Sequence, residues 1–108
     1  MIMKLWIDDV RTAPEGYIWI KTVAMTKQFI EQVEEDYNLT HLDGVAIELI
    51  DIDHDAGMFA GAGGDYIRIL DWLEETGRSY PIRIHSMNSV GVENMRRIIQ
   101  RNNWKEVR

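Results

Sequence analysis

The stretch Val45-Ala46-Ile47-Glu48-Leu49-Ile50-Asp51-Ile52-Asp53-His54-Asp55 decides how this chain is read. Val45 to Ile52 is the most continuous apolar run in the sequence. A short run of this kind fits a central strand buried on both faces of a parallel sheet. It ends abruptly in Asp53, His54 and Asp55. In open parallel sheets, ligands bind beyond the carboxyl ends of the strands, where the strand order reverses. A buried strand that delivers acids at its carboxyl end therefore indicates a fold and a site together.

Working outward, Met3 to Ile7 reads as a first strand ended by Asp8-Asp9, and Pro14 and Gly16 then break the chain. Tyr17 to Val23, aromatic and β-branched, reads as a second strand. Thr26 is the expected N-cap of a first helix, with Met25 and Ile30 as its hydrophobic staple and Phe29, Ile30, Val33 and Tyr37 on its inner face. Asn38 and Gly44 bracket a linker in which His41 is given no role. Beyond the central strand, Ala56 to Gly64 is expected to be a loop, read as a mobile flap. Asp65 is expected to cap a second helix carrying Ile67, Leu70 and Leu73, ended by Gly77. Pro81 to His85 forms a fourth strand, and Asn88 or Ser89 opens a third helix with Val92, Met95, Ile98 and Ile99 inward. Trp104 to Val107 supplies a short edge strand. This alternation predicts an α/β domain over residues 1–108: an open, mostly parallel sheet of about five strands, order 2-1-3-4-5, with helices on both faces. The first crossover is odd. Either a short helical turn lies within Arg11 to Gly16, or the helix usual at that point has been lost.

Composition narrows the function. With 108 residues and 45% hydrophobic side chains, the chain suffices for one domain with a real core. It has no cysteine, which excludes disulfides and thiolate-bound zinc and points to a cytoplasmic setting. No apolar run approaches the roughly 20 residues that cross a bilayer. The net charge of −6 disfavours broad binding to duplex nucleic acid. It remains compatible with a small phosphorylated ligand, or an RNA end, held through a metal.

Three strand ends bear the polar residues: Asp8-Asp9, Asp51 to Asp55, and His85-Ser86-Met87-Asn88. In the order 2-1-3-4-5 these converge on one crevice. Clustered carboxylates resist ionising together, and a divalent cation resolves that conflict. Asp8, Asp9 and Asp53 are accordingly the expected metal ligands, with magnesium favoured by hard oxygens and manganese if His54 or His85 joins. His85 is placed to move a proton, or else merely to cap or hydrogen-bond. Ser86 can hold a phosphoryl oxygen or serve as a turn residue, and Arg11 can reach an anionic ligand or a surface acid. The Gly61-Ala62-Gly63-Gly64 stretch lacks the Lys-Ser/Thr of a nucleotide-binding loop.

The segments Leu5-Trp6-Ile7-Asp8-Asp9-Val10-Arg11, Ile52-Asp53-His54-Asp55-Ala56-Gly57 and Ile84-His85-Ser86-Met87-Asn88-Ser89-Val90-Gly91, followed by Asn94-Met95, resemble the cyclic-phosphate-processing receiver-like domains, derived relatives of response-regulator receivers. The resemblance spans nearly the whole chain. It implies a flavodoxin-like sheet, with Asp8 and Asp9 where receivers hold metal, Asp53 where they are phosphorylated, and Ser86 near their hydroxyl residue. It also implies chemistry at a cyclic phosphate through His54, Asp55 and His85. The expectation is a metal-dependent phosphoesterase acting on a cyclic phosphate, of a nucleotide or an RNA end, with His54, Asp55, His85 and Ser86 catalytic and Arg11 and Asn88 clamping the substrate. The alternatives are a signalling receiver phosphorylated on Asp53 and a non-catalytic binding module. Two departures from the pattern stand out: Ser89 replaces the proline frequent after Asn88, and Lys105 begins the last strand instead of ending it.

Overall fold

The computed structural model describes residues 2–40 and 46–108, with side chains described outside 37–46. Tyr37, His41, Gly44 and Val45, which the sequence singles out, therefore lie outside the described side chains. The elements are β1 (Ile2–Ile7), β2 (Tyr17–Ile20), α1 (Val23–Thr40), β3 (Ala46–Ile52), a 3-10 turn (Gly57–Phe59), α2 (Ile67–Glu75), β4 (Ile82–Ile84), α3 (Ser89–Arg101) and β5 (Glu106–Val107). All four pairings are parallel and the sheet order is β2-β1-β3-β4-β5. Strand order and the three helices match the sequence reading.

The two faces of this sheet differ. Leu5, Ile7, Ile20, Ile50, Ile52 and Ile82 pack with Val23, Ile30 and Val33 of α1, Ile69, Leu70 and Leu73 of α2, and Met95, Ile98 and Ile99 of α3 in one buried cluster. Trp6 and Leu49, of the opposite parity, are also buried but stand outside that cluster. Chain connectivity explains the asymmetry. Every crossover that contains a helix steps the same way across the sheet, so right-handed connections put all three helices on one side. Only β1 to β2 steps back, and residues 8–16 contain no helix. The expectation of helices on both faces is thus corrected among the described residues: the usual first helix is lost, and an irregular segment takes its place. That segment is anchored by Trp6, whose indole N–H donates to the Arg11 carbonyl at 2.9 Å.

Local signals were displaced in instructive ways. β2 stops at Ile20, and Thr22 rather than Thr26 caps α1, its hydroxyl accepting from the Met25 N–H at 3.0 Å. Thr26 is buried one turn later and donates back to the Thr22 carbonyl. Asp65 does not cap α2, which starts without a side-chain cap; its carboxylate accepts from the Ala56 N–H at 3.0 Å and closes the glycine-rich segment. That segment includes the 3-10 turn and is tied to the start of α1 by the Ala24 N–H to Ala62 carbonyl bond. Of the two candidate caps for α3, Asn88 is used, its side chain accepting from the Gly91 N–H at 2.9 Å.

Candidate functional site

Register brings the acids together. Trp6 pairs with Asp51, Ile7 with Ile52, and Asp51 with Arg83, so β1, β3 and β4 end level with one another. The next residues, Asp8, Asp53 and His85, emerge at one edge, held by the Asp53 N–H to Ile7 carbonyl and His85 N–H to Ile52 carbonyl bonds. Asp8, Asp9 and Asp53 each offer a carboxylate oxygen, and these lie within 4.8 Å of one another.

The three carboxylates are held differently. Asp8 is fully buried. Burial alone would raise its pKa, yet the Arg11 and Val10 N–H groups, at 2.8 and 2.9 Å, and the His85 ring leave it below the ordinary value. Asp9 goes the other way. Burial raises its pKa, and the charges of Asp8 and Asp53 add to the rise. Gly57, at φ +55°, lets the following loop close over Asp9; a Cβ there would sit 2.3 Å from the Asp9 Oδ2. One acid is held below and another above the ordinary carboxylate pKa, beside like charge, a conflict that a divalent cation would relieve. The donor set, three hard oxygens, fits magnesium or manganese with room for water and a phosphate oxygen.

The histidines take unequal positions. His85 Nε2 lies 2.9 Å from Asp8 Oδ2 and its Nδ1 lies 2.6 Å from Asp51 Oδ1. Its ring stacks on Trp6, centroids 3.7 Å apart and planes within 5°. Both ring nitrogens therefore face carboxylates, and neither is left for a ligand. Asp51 is fully buried and also accepts from Arg83 at 3.2 Å. This chain of Asp8, His85, Asp51 and Arg83 orients Asp8 from behind, as outer partners orient metal ligands elsewhere. Asp51, Trp6 and Arg83 were not singled out as site residues from the sequence. Register, not composition, reveals them, since Asp51 lies two residues before Asp53 and shares its face.

His54 is arranged otherwise. Its Nδ1 lies 2.8 Å from Asp55 Oδ1, an acceptor, so Nδ1 carries a proton, and the Asn88 amide nitrogen stands 3.4 Å from the same atom. The same bond is the main cause of the lowered pKa of Asp55, with the Asn88 amide contributing. The ring lies against α3 where Gly91 has no side chain; a Cβ there would come within 2.5 Å of His54 Cγ. Asn88 spends its amide on the helix cap and on Asp55, at 3.2 Å, so it orients the acid that orients His54. Ser86 Oγ accepts from the Asn88 N–H at 3.2 Å. Arg11 is exposed, and among the described residues its guanidinium forms no ion pair. Tyr66, buried beneath this edge, has its phenol pKa raised by burial and by the surrounding aspartates, and it donates to the Lys21 carbonyl at 2.7 Å.

The described helices include none long and apolar enough to cross a membrane. The family model described as the cyclic-phosphate processing receiver domain matches residues 3–101. No curated protein and no solved structure matches the chain. The match covers most of the sequence, and the chain belongs to the cyclic-phosphate processing receiver family, with its flavodoxin-like sheet.

Proposed function

We propose, from this family membership, that the protein is a metal-dependent phosphoesterase that opens a cyclic phosphate at the carboxyl edge of its sheet. The observation that carries the reading is the convergence of Asp8, Asp9 and Asp53 within 4.8 Å. Those three would hold a divalent cation, magnesium or manganese, which when bound polarises a phosphoryl oxygen. Arg11, exposed and unpaired among the described residues, supplies positive charge to a phosphate oxygen. His54 accepts a proton from the attacking water at Nε2 and returns it to the ester oxygen that leaves, while Asp55 holds Nδ1. Water thus adds to phosphorus, one ester bond breaks, and a phosphomonoester results. His85 acts through Asp8 rather than on the substrate. Ser86, at the same strand end, is placed to hydrogen-bond a phosphoryl oxygen.

The reading is tested with purified protein and a five-membered cyclic phosphodiester, with magnesium or manganese added. Metal-dependent ring opening that is lost in both Asp53→Asn and His54→Gln, with the fold intact by circular dichroism, is the expected result. Ring opening that survives Asp53→Asn undiminished overturns it.

A further inference from the structure

The charges at the carboxyl edge leave little attraction for an anion. Asp8, Asp9 and Asp53, once ionised around a divalent cation, carry one negative charge more than that cation offsets. Arg11 brings the balance to zero, and Asp55 stands nearby beside His54 with a charge of its own. A cyclic phosphodiester adds one negative charge, and opening it to a monoester raises this toward two at neutral pH. A site that gathers negative charge as the reaction proceeds calls for another cation.

The connections that follow β1, β2, β3 and β4 contain two residues of the Lys or Arg type, Arg11 and Lys21. Lys21 comes directly after the last residue of β2, Ile20, whose carbonyl accepts from the Asp8 N–H at 3.3 Å. The Lys21 ammonium rests 4.4 Å from the centroid of the Trp19 ring and 6.0 Å from that of Phe59. Both rings are tied to the acids. The Trp19 indole N–H donates to the Asp8 carbonyl at 2.7 Å, so a single side chain joins the ammonium to the main chain of an expected metal ligand. Phe59 ends the 3-10 turn whose first residue, Gly57, closes against Asp9. Aromatic faces attract an ammonium but neutralise none of its charge. No carboxylate among the described residues pairs with exposed Lys21, so its three N–H donors stay open to a ligand.

We infer that Lys21 is a phosphate-binding residue of this edge, resting on Trp19 and Phe59 until an anion arrives and then donating to a phosphoryl oxygen. This rests on the phosphoesterase reading, and it adds the cation that offsets the charge gained on hydrolysis. A compact ammonium on a flexible four-carbon stem can turn from ring to ligand. Because negative charge rises from substrate to product, Lys21 contributes more to the transition state and the product than to the substrate.

The test measures inorganic phosphate binding by calorimetry in magnesium, and ring opening of a five-membered cyclic phosphodiester, in wild type, Lys21→Met and Lys21→Arg. Methionine keeps an apolar stem against the two rings and removes the charge. Lys21→Met is expected to weaken phosphate binding and to lower kcat by about tenfold or more, as loss of a hydrogen bond to a charged group does, with a smaller change in KM. Lys21→Arg should recover most of both, and magnesium binding in the absence of phosphate should persist in both variants. Wild-type values in Lys21→Met overturn the assignment and leave the metal edge standing. A Lys21→Arg variant as impaired as Lys21→Met also overturns it, since the positive charge is then not what matters. A wild type that neither binds phosphate nor opens the ring removes the phosphoesterase reading itself, and the role of Lys21 with it.

Discussion

Replacing Asp9 by Asn should separate stability from metal binding. In the absence of metal, Asp9 bears a carboxylate within 4.8 Å of those of Asp8 and Asp53, and its pKa is raised by burial and by those charges. At that separation a unit-charge pair costs about 0.9 kcal/mol at the dielectric of water and about 3.5 kcal/mol at an effective value of 20. Asp8 is partly compensated by two backbone N–H groups and the His85 ring, and Asp53 by the His54 N–H at 2.7 Å, which reduces the repulsion each exerts on Asp9. Removing the Asp9 charge should therefore stabilise the metal-free protein by about 1–2 kcal/mol. For a domain of this size that is a melting-temperature rise of roughly 4–16 °C. Because the folded-state pKa is raised, Asp9 favours folding below its ordinary value of 3.8 and loses that contribution as pH rises through the folded pKa. The gain in Asp9→Asn should accordingly be present at neutral pH and vanish below about pH 3.8. Magnesium or manganese should stabilise the wild type further and leave the variant unmoved. Differential scanning fluorimetry across pH, with and without metal, reads both effects. A variant that melts lower than wild type without metal, yet gains as much from magnesium, would refute the argument.

Substituting His85 by Leu leaves buried Asp8 and Asp51 facing each other without the ring between them, and should cost about 3–5 kcal/mol in urea unfolding. In Gly91→Ala the new methyl group enters the space of the His54 ring, so turnover should fall more than tenfold while metal-induced stabilisation persists; fluorimetry and an activity assay on one sample distinguish the two. Asp8 has a lowered pKa, so its stabilising contribution is present above its ordinary value of 3.8 and is lost as pH falls through the folded pKa. The metal-free wild type should therefore lose stability on acidification below about pH 4, and Asp8→Asn should flatten that limb of the curve.

Much of this fold was legible because the sheet obeys simple periodicities. Ile50 and Ile52 are fully buried, as an uninterrupted apolar run requires, and the acids fall just past the strand ends. Cap positions were less legible because Thr22 and Thr26 are chemically equivalent choices four residues apart. The helix takes the earlier one, where the chain leaves β2. Asp65 shows the same limit. A carboxylate before a helix reads as a cap, but a backbone donor nine residues earlier in sequence binds it instead. Asp51 was harder still. Within an apolar strand it registers as an interruption, and only pairing with Arg83 and the end of β4 explains why a buried acid is tolerated there.

The same pairings bear on the choice between transferring a phosphoryl group to Asp53 and hydrolysing a bound ester. A receiver that holds an acyl phosphate needs a cation projecting from the carboxyl end of its last strand. Here Lys105 precedes β5, and its carbonyl accepts from Ile82, the first residue of β4, which puts it at the opposite end of the strand from the acids. Arg108 lies just past β5 but is paired with Glu106 at 3.3 Å. The edge instead carries Arg11, contributed by the segment that replaced the lost helix, and His54, to which the proposed mechanism gives a proton-transfer role that simple phosphoacceptor chemistry lacks. A small phosphodonor should consequently leave the mass of the protein unchanged in magnesium. A gain of one phosphoryl group that disappears in Asp53→Asn would restore the signalling account and demote His54 to packing.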